Sequence, residues 1–220
     1  MNFITTIIKI ETEEVKFMYR RQEIKMSSYG KARTRFGIRQ ITIVGMMSAV
    51  SVVLGLTGYG FIPLPTAKAT IMHIPVIIGA VLEGPLVGAV IGLIFGLFSI
   101  FQNITTPSLL SFAFLNPLVS VLPRILIGIT SYYSYRILHK KNEPISIGIA
   151  AAVGTITNTV GVLTMIYILY AERYAEAIGK SAEIAAKAIY GIALTNGVPE
   201  VIIAILVTVP AVLAIKKIRK

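Results

Sequence analysis

Six apolar runs alternate with short polar or breaker-rich segments along this chain, at about 41–58, 70–82, 86–101, 115–138, 145–170 and 189–215. Runs of this length predict helices, and the longer ones reach the roughly 20 residues needed to cross a bilayer. The segments between them break helices in recognisable ways. Residues 59–69 (YGFIPLPTAKA) hold two Pro and a Gly and predict a loop. Glu83-Gly84-Pro85 predicts a tight turn, residues 102–108 (QNITTPS) a polar turn, and 139–144 (HKKNEP) a basic loop. Residues 171–186 (AERYAEAIGKSAEIAA) read as a hydrated connection rich in helix formers. Only residues 1–39 are mostly polar.

Composition turns this pattern into a class. Hydrophobic residues make up 55% of the chain, charged residues 14%, and the mean hydropathy is +0.78. Water-soluble domains carry about 25% charged residues, so the expectation is an all-α integral membrane protein with six transmembrane helices. The net charge of +11 does not indicate a nucleic-acid partner, because the basic residues cluster at the termini and in one loop. Nine Lys/Arg lie in 1–39, three at Arg136, Lys140 and Lys141, and four at the C-terminus, against four (Lys68, Arg173, Lys180, Lys187) on the other face. That asymmetry predicts both termini in the cytoplasm. The domains expected are a basic tail at 1–39, either a plain cytoplasmic tail or a helix on the inner leaflet, a six-helix membrane domain at 40–215, and a basic C-terminus at 216–220. The first long apolar run starts near residue 40 with no small-residue cleavage site close behind it, so no cleavable signal peptide is expected.

Within the spans, small residues mark contact faces. Gly45 and Ala49 are four apart, as are Ser51 and Gly55, and Gly88, Gly92 and Gly96 form a tandem stripe. Such stripes let helices approach closely where lipid supplies no hydrophobic drive. For the first helix the contact is either with another protein or within this chain.

The polar residues inside the spans carry the candidate chemistry. Arg124 follows Pro123 in the fourth run, and its guanidinium keeps its proton. A charge at the bilayer centre costs about 2.5–3.5 kcal/mol on insertion scales, so it turns toward a partner, water or a ligand. At about 1.5 Å per residue, Arg124, Asn158 and Glu200 reach comparable depths in the fourth, fifth and sixth runs. Asn196 lies one turn above Glu200, and Asn116 two turns above Arg124. Two readings follow: an Arg124–Glu200 ion pair joining two helices, or a polar pocket built by spans four to six and open to the outside. His73 either donates to a ligand or is a hydrogen-bonded structural residue. Lys68 either meets an anionic ligand or is solvated.

The chemistry excluded is as informative. There is no Cys, and His73 and His139 are too far apart in sequence to suggest a metal site. No phosphate-binding loop, nucleophile elbow or HExxH sequence occurs, so no enzyme activity, metal or cofactor is expected. A stand-alone secondary transporter of a small anionic metabolite is the competing class, although the six runs show no internal duplication of the kind common in such carriers.

Taken together, Ile71-Met72-His73-Ile74-Pro75, Glu83-Gly84-Pro85, Phe114-Leu115-Asn116-Pro117, Leu122-Pro123-Arg124, Thr157-Asn158-Thr159 and Asn196-Gly197-Val198-Pro199-Glu200 resemble the substrate-binding S components of energy-coupling-factor (ECF) vitamin transporters. The resemblance spans about residues 38–218 and is nearest to the pantothenate type. It implies a non-enzymatic, multi-pass subunit of the bacterial cell membrane that captures a vitamin from outside. Delivery then runs through a membrane coupling subunit and two ATPases, which hydrolyse the ATP. It implies substrate contacts from the outer loops and spans four to six, hence Lys68, His73, Gln102, Asn103, Asn116, Arg124, Asn158, Asn196 and Glu200. It also implies docking to the coupling subunit through Gly45 and Ala49, where the family commonly has Ala at both places. Pantothenate suits a basic pocket, because charge-assisted bonds from Arg to a carboxylate are strong. Riboflavin, pyridoxine-like and hydroxymethylpyrimidine cargoes are the alternatives, with flavins disfavoured by the lack of Trp.

Overall fold

Five helices carry a proline in the first turn: Pro75, Pro85, Pro117, Pro123 and Pro144. There a ring without an N–H removes no helical bond, and its fixed φ suits the start. The computed structural model describes residue 16 and residues 36–63, 68–108, 110–139, 142–177, 179 and 182–219. The chain divides into two compact units, Met1–Ile38 and Arg39–Lys220. The tail expected at 1–39, with its two alternative forms, lies almost entirely outside the described residues. So do Lys140, Lys141, Lys180 and Lys220 of the charge count.

The elements run α1 (Ile38–Thr57), β1 (Phe61–Pro63), β2 (Lys68–Thr70), α2 (Ile74–Glu83), α3 (Pro85–Thr105), α4 (Ser111–Phe114), α5 (Pro117–Ser120), α6 (Leu122–Leu138), α7 (Glu143–Ala177) and α8 (Ala182–Ile218). Among the described residues, four stretches are long and apolar enough to cross a membrane: Ile38–Thr57, Pro85–Thr105, Glu143–Glu176 and Ala193–Ile218. Helix α2 has 10 residues, about 15 Å of rise, which is half of a roughly 30 Å hydrocarbon layer. The structure is therefore that of an all-α membrane protein apart from one small hairpin.

That hairpin replaces the loop expected at 59–69. Strands β1 and β2 pair antiparallel, with Phe61 opposite Thr70 and Pro63 opposite Lys68. The fourth apolar run also departs from expectation, since it is not one helix from 115 to 138. Asn116 caps α5 by accepting from the Leu118 N–H at 2.9 Å, and the chain turns again at Val121 before α6 begins. Asn116-Pro117 and Pro123 are start signals, which end one short helix and begin the next.

The glycine stripe does what its spacing predicts. A Cβ on Gly88 would meet Ala80 and Gly128, one on Gly92 would overlap the Arg124 carbonyl, and one on Gly96 would meet Val121 and Ser120. Bare backbone along α3 thus lets α6 lie against it. Gly84 (φ 105°) makes the α2–α3 turn in a conformation that disfavours side-chain-bearing residues. At that turn Glu83 Oε1 accepts from both Arg39 and Arg219, each at 2.8 Å. The start of α1, the α2–α3 turn and the end of α8 therefore share one end of the bundle. Away from that end, α4 and α5 pack on the kink in α7 at Tyr170, through Ala113, Val119, Val162, Ile166 and Tyr174.

Candidate functional site

Between α3, the hairpin and α6 lies a cavity of about 430 Å³, within the range of small-molecule sites. One wall is a face of α3, with Phe95, Ser99, Gln102 and Asn103, continuing to Thr106 and Ser108 just beyond the helix. Phe61, Thr70 and Met72 close it from the hairpin, and Phe114, Arg124 and Asn158 from the opposite side. Burial falls along the wall: Phe95 and Ser99 are buried, Gln102 and Asn103 half-buried, Thr106 and Ser108 exposed. The cavity opens at the C-terminal end of α3, away from the Glu83 cluster at its other end.

Arg124 sits in the first turn of α6 and is 6% exposed. Its Nη1 donates to the Val119 carbonyl at 2.7 Å, and its guanidinium lies 5.6 Å from the ring centres of both Phe95 and Phe114. Its buried Nε has no hydrogen-bond partner. Among the described residues no carboxylate pairs with it. The Arg124–Glu200 ion pair, one of the two readings of the sequence, is therefore absent. Glu200 is held elsewhere: Oε1 accepts from the Thr70 backbone N–H at 2.8 Å and Oε2 from the Thr159 hydroxyl at 2.7 Å. The guanidinium thus lies beside two aromatic rings with one buried donor unused.

The other expected site residues separate into two groups. Asn158 faces the cavity, and its buried Oδ1 has no hydrogen-bond partner. Gln102 and Asn103 also line it, although they belong to α3 rather than to a polar turn. The Gln102 amide donates to the Gly55 carbonyl at 3.0 Å. Asn103 donates to the Ser99 carbonyl and accepts from the Ser111 hydroxyl, both at 2.8 Å. These bonds fix the upper wall against α1 and α4.

Asn116, His73, Asn196 and Glu200 do not line the cavity. The Asn116 oxygen caps α5 and its amide donates to the Tyr170 hydroxyl at 3.1 Å. His73 is fully buried, with Nε2 2.9 Å from the Thr155 hydroxyl and Nδ1 without a hydrogen-bond partner. Asn196 has a buried Oδ1 with no hydrogen-bond partner, on a helix whose described residues do not line the cavity. Glu200 supports Thr70 from behind. The sixth span thus braces the pocket instead of walling it, and the third span takes its place. The side chain of Lys68 lies outside the described residues.

Phe61, Thr70, Met72, Phe95, Ser99, Thr106, Ser108 and Phe114 were not expected at the site. A signal for the α3 wall exists in the spacing of Phe95, Ser99, Gln102 and Thr106, which recur at helical intervals on one face. On α1, Ser51 and Gly55 turn inward: Ser51 donates to the Met72 carbonyl at 3.1 Å, and a Cβ on Gly55 would meet Phe98 and Met72. Gly45 and Ala49 are exposed.

Apolar helices thus enclose a cavity with a buried cation in its wall. The chain belongs to the family described as ECF transporter, substrate-specific component, which matches residues 39–212. It is a multi-pass membrane transport protein, and the family is a transporter's substrate-specific component, not an enzyme. The chain is 34% identical over 197 residues to the pantothenic acid transporter PanT of Lactococcus lactis subsp. cremoris, covering 81% of this chain and 94% of that one. It is 35% identical over 118 residues to the pantothenate transporter PanT of Leuconostoc mesenteroides subsp. mesenteroides, covering 50% of this chain and 58% of that one.

Proposed function

We propose that this protein captures pantothenate from outside the cell and delivers it as the substrate-binding subunit of an ATP-driven ECF importer. The observation that carries this reading is Arg124: a permanent cation, buried in the cavity wall and paired with no carboxylate among the described residues. Pantothenate supplies one carboxylate for it, and an amide and two hydroxyls for Asn158, Ser99, Gln102 and Asn103. The two pantothenate-transporter relatives support the same cargo.

In this reading six segments span the bacterial cell membrane, with both termini and the Glu83 cluster in the cytoplasm and the cavity mouth outside. The Lys/Arg asymmetry supports that orientation. A membrane coupling subunit and two ATPases provide the energy, and Gly45 and Ala49 offer α1 as the docking face. The residues 1–39 serve as a cytoplasmic tail.

Calorimetry with the detergent-purified full chain tests the cargo. Wild-type protein binds pantothenate near one-to-one, and Arg124→Leu loses at least about 30-fold in affinity, since removing one partner of a buried charge pair costs about 2–5 kcal/mol. Unchanged affinity in an Arg124→Leu protein that retains its thermal transition would overturn the assignment.

A further inference from the structure

The cavity is polarised along its length. From Phe95 to Thr106 is eleven residues of α3, about 16 Å of rise. Arg124 lies at the Phe95 end, against that ring, and the exposed Thr106 and Ser108 form the other end. The Arg124 end is also the closed end. Phe95 and Ser99 are buried there, and Arg124 itself is 6% exposed. Two buried polar atoms without a hydrogen-bond partner belong to the lining: Nε of Arg124, a donor at this end, and Oδ1 of Asn158, an acceptor. The rim carries neutral hydroxyls.

We propose that the cargo enters acid end first, so that its carboxylate seats on Arg124 at the closed floor while its hydroxyl-bearing end stays at the rim. This rests on the cavity being the pantothenate site, and it makes Arg124 the residue that decides specificity. A free terminal carboxylate is then the feature read most strictly. A molecule whose acid end is extended by an amide has no room beyond the guanidinium. One whose acid is reduced to an alcohol leaves the cation buried and unpaired. Changes at the hydroxyl-bearing end meet the open rim and are tolerated far better.

The test compares three ligands on the detergent-purified full chain by calorimetry: pantothenate, pantothenol (the acid replaced by an alcohol of the same length) and pantetheine (the acid extended as an amide). Pantothenate is expected to bind, pantothenol at least about 30-fold more weakly, and pantetheine not measurably. In Arg124→Gln, whose thermal transition is checked first, pantothenol and pantothenate should bind within a few-fold of each other. Pantetheine or pantothenol binding the wild type as tightly as pantothenate would overturn the orientation while leaving the cargo assignment standing. Absence of pantothenate binding would overturn the cargo assignment, and the orientation with it.

Discussion

Glu200 and Thr70 meet across 130 residues of sequence: the carboxylate accepts the backbone N–H of the last residue of β2 at 2.8 Å. Its second oxygen takes the Thr159 hydroxyl on α7. One buried carboxylate thus joins α8, α7 and the strand that carries a cavity-lining residue. Glu200→Ala leaves the Thr70 N–H and the Thr159 hydroxyl without their acceptor, at a cost of about 1–3 kcal/mol. Glu200→Gln keeps an acceptor for Thr70 and a donor for the Thr159 oxygen. The expected outcome is a lowered thermal midpoint and faster hydrogen exchange at the Thr70 amide in the Ala variant, with Gln close to wild type. Equal exchange in all three proteins would show that the hairpin is held by other contacts.

Gly92 is the second point of control, because it sets how closely α3 approaches the backbone of Arg124. A Cβ there overlaps the Arg124 carbonyl, whereas one on Gly45 meets nothing within 4 Å. The same substitution should therefore have different consequences at the two places. Gly92→Ala is expected to destabilise by about 1–3 kcal/mol, as overpacking does, and to weaken ligand binding by shifting the guanidinium. Gly45→Ala should leave both unchanged. Thermal unfolding and calorimetry on the two variants side by side check this, and indifference at Gly92 would mean that α6 can slide without cost.

The contrast between Gly92 and Glu200 shows what a linear reading captures. Helix–helix contact in a membrane depends on small residues at fixed intervals, so the Gly88, Gly92 and Gly96 stripe is visible without coordinates. The buried charge of Arg124 is visible for the same reason, since lipid makes it costly. The partner of Glu200 is not, because it is a backbone N–H delivered by a hairpin whose place depends on long-range contacts. Counting depth along one straight span from Leu115 put Arg124 level with Glu200 and suggested a pair. The chain instead turns at Asn116 and again at Val121, so Arg124 begins a helix rather than lying in the middle of one. The hydrophobic run hides such breaks, and the two prolines that mark them read equally well as kinks.

The end of the bundle opposite the cavity mouth depends on one carboxylate oxygen. Glu83 Oε1 accepts from Arg39 Nε and Nη2 and from Arg219 Nη1, while the Glu83 side chain is 8% exposed and the arginines 63% and 28%. Glu83→Ala removes the link between the start of α1 and the end of α8 and leaves two like charges facing one another. Because both cations reach solvent, the loss should be modest, about 1 kcal/mol, and screened by salt. The thermal midpoint of the variant is expected to fall below wild type at low ionic strength and to approach it at high ionic strength. A salt-independent gap would place the effect in packing and not in charge.

Helix α1 presents two unlike faces, and the difference separates binding from transport. Ser48, Ser51 and Gly55 are buried against the rest of the chain. Gly45 and Ala49 are exposed on the helix together with Ile41, Met46, Val50 and Val53. Small residues among larger apolar ones leave a shallow groove in which another helix can seat its backbone closely. If that face receives the coupling subunit, replacing both residues by Leu fills the groove and touches nothing inside this chain. Gly45→Leu with Ala49→Leu should then leave the thermal midpoint and pantothenate affinity of the purified protein at wild-type values. The same double variant should fail to co-purify with the coupling subunit and its ATPases, and should abolish uptake in cells that depend on it. Normal uptake by the double variant would move the docking face to another helix, whereas lost ligand binding would show that this side of α1 supports the cavity.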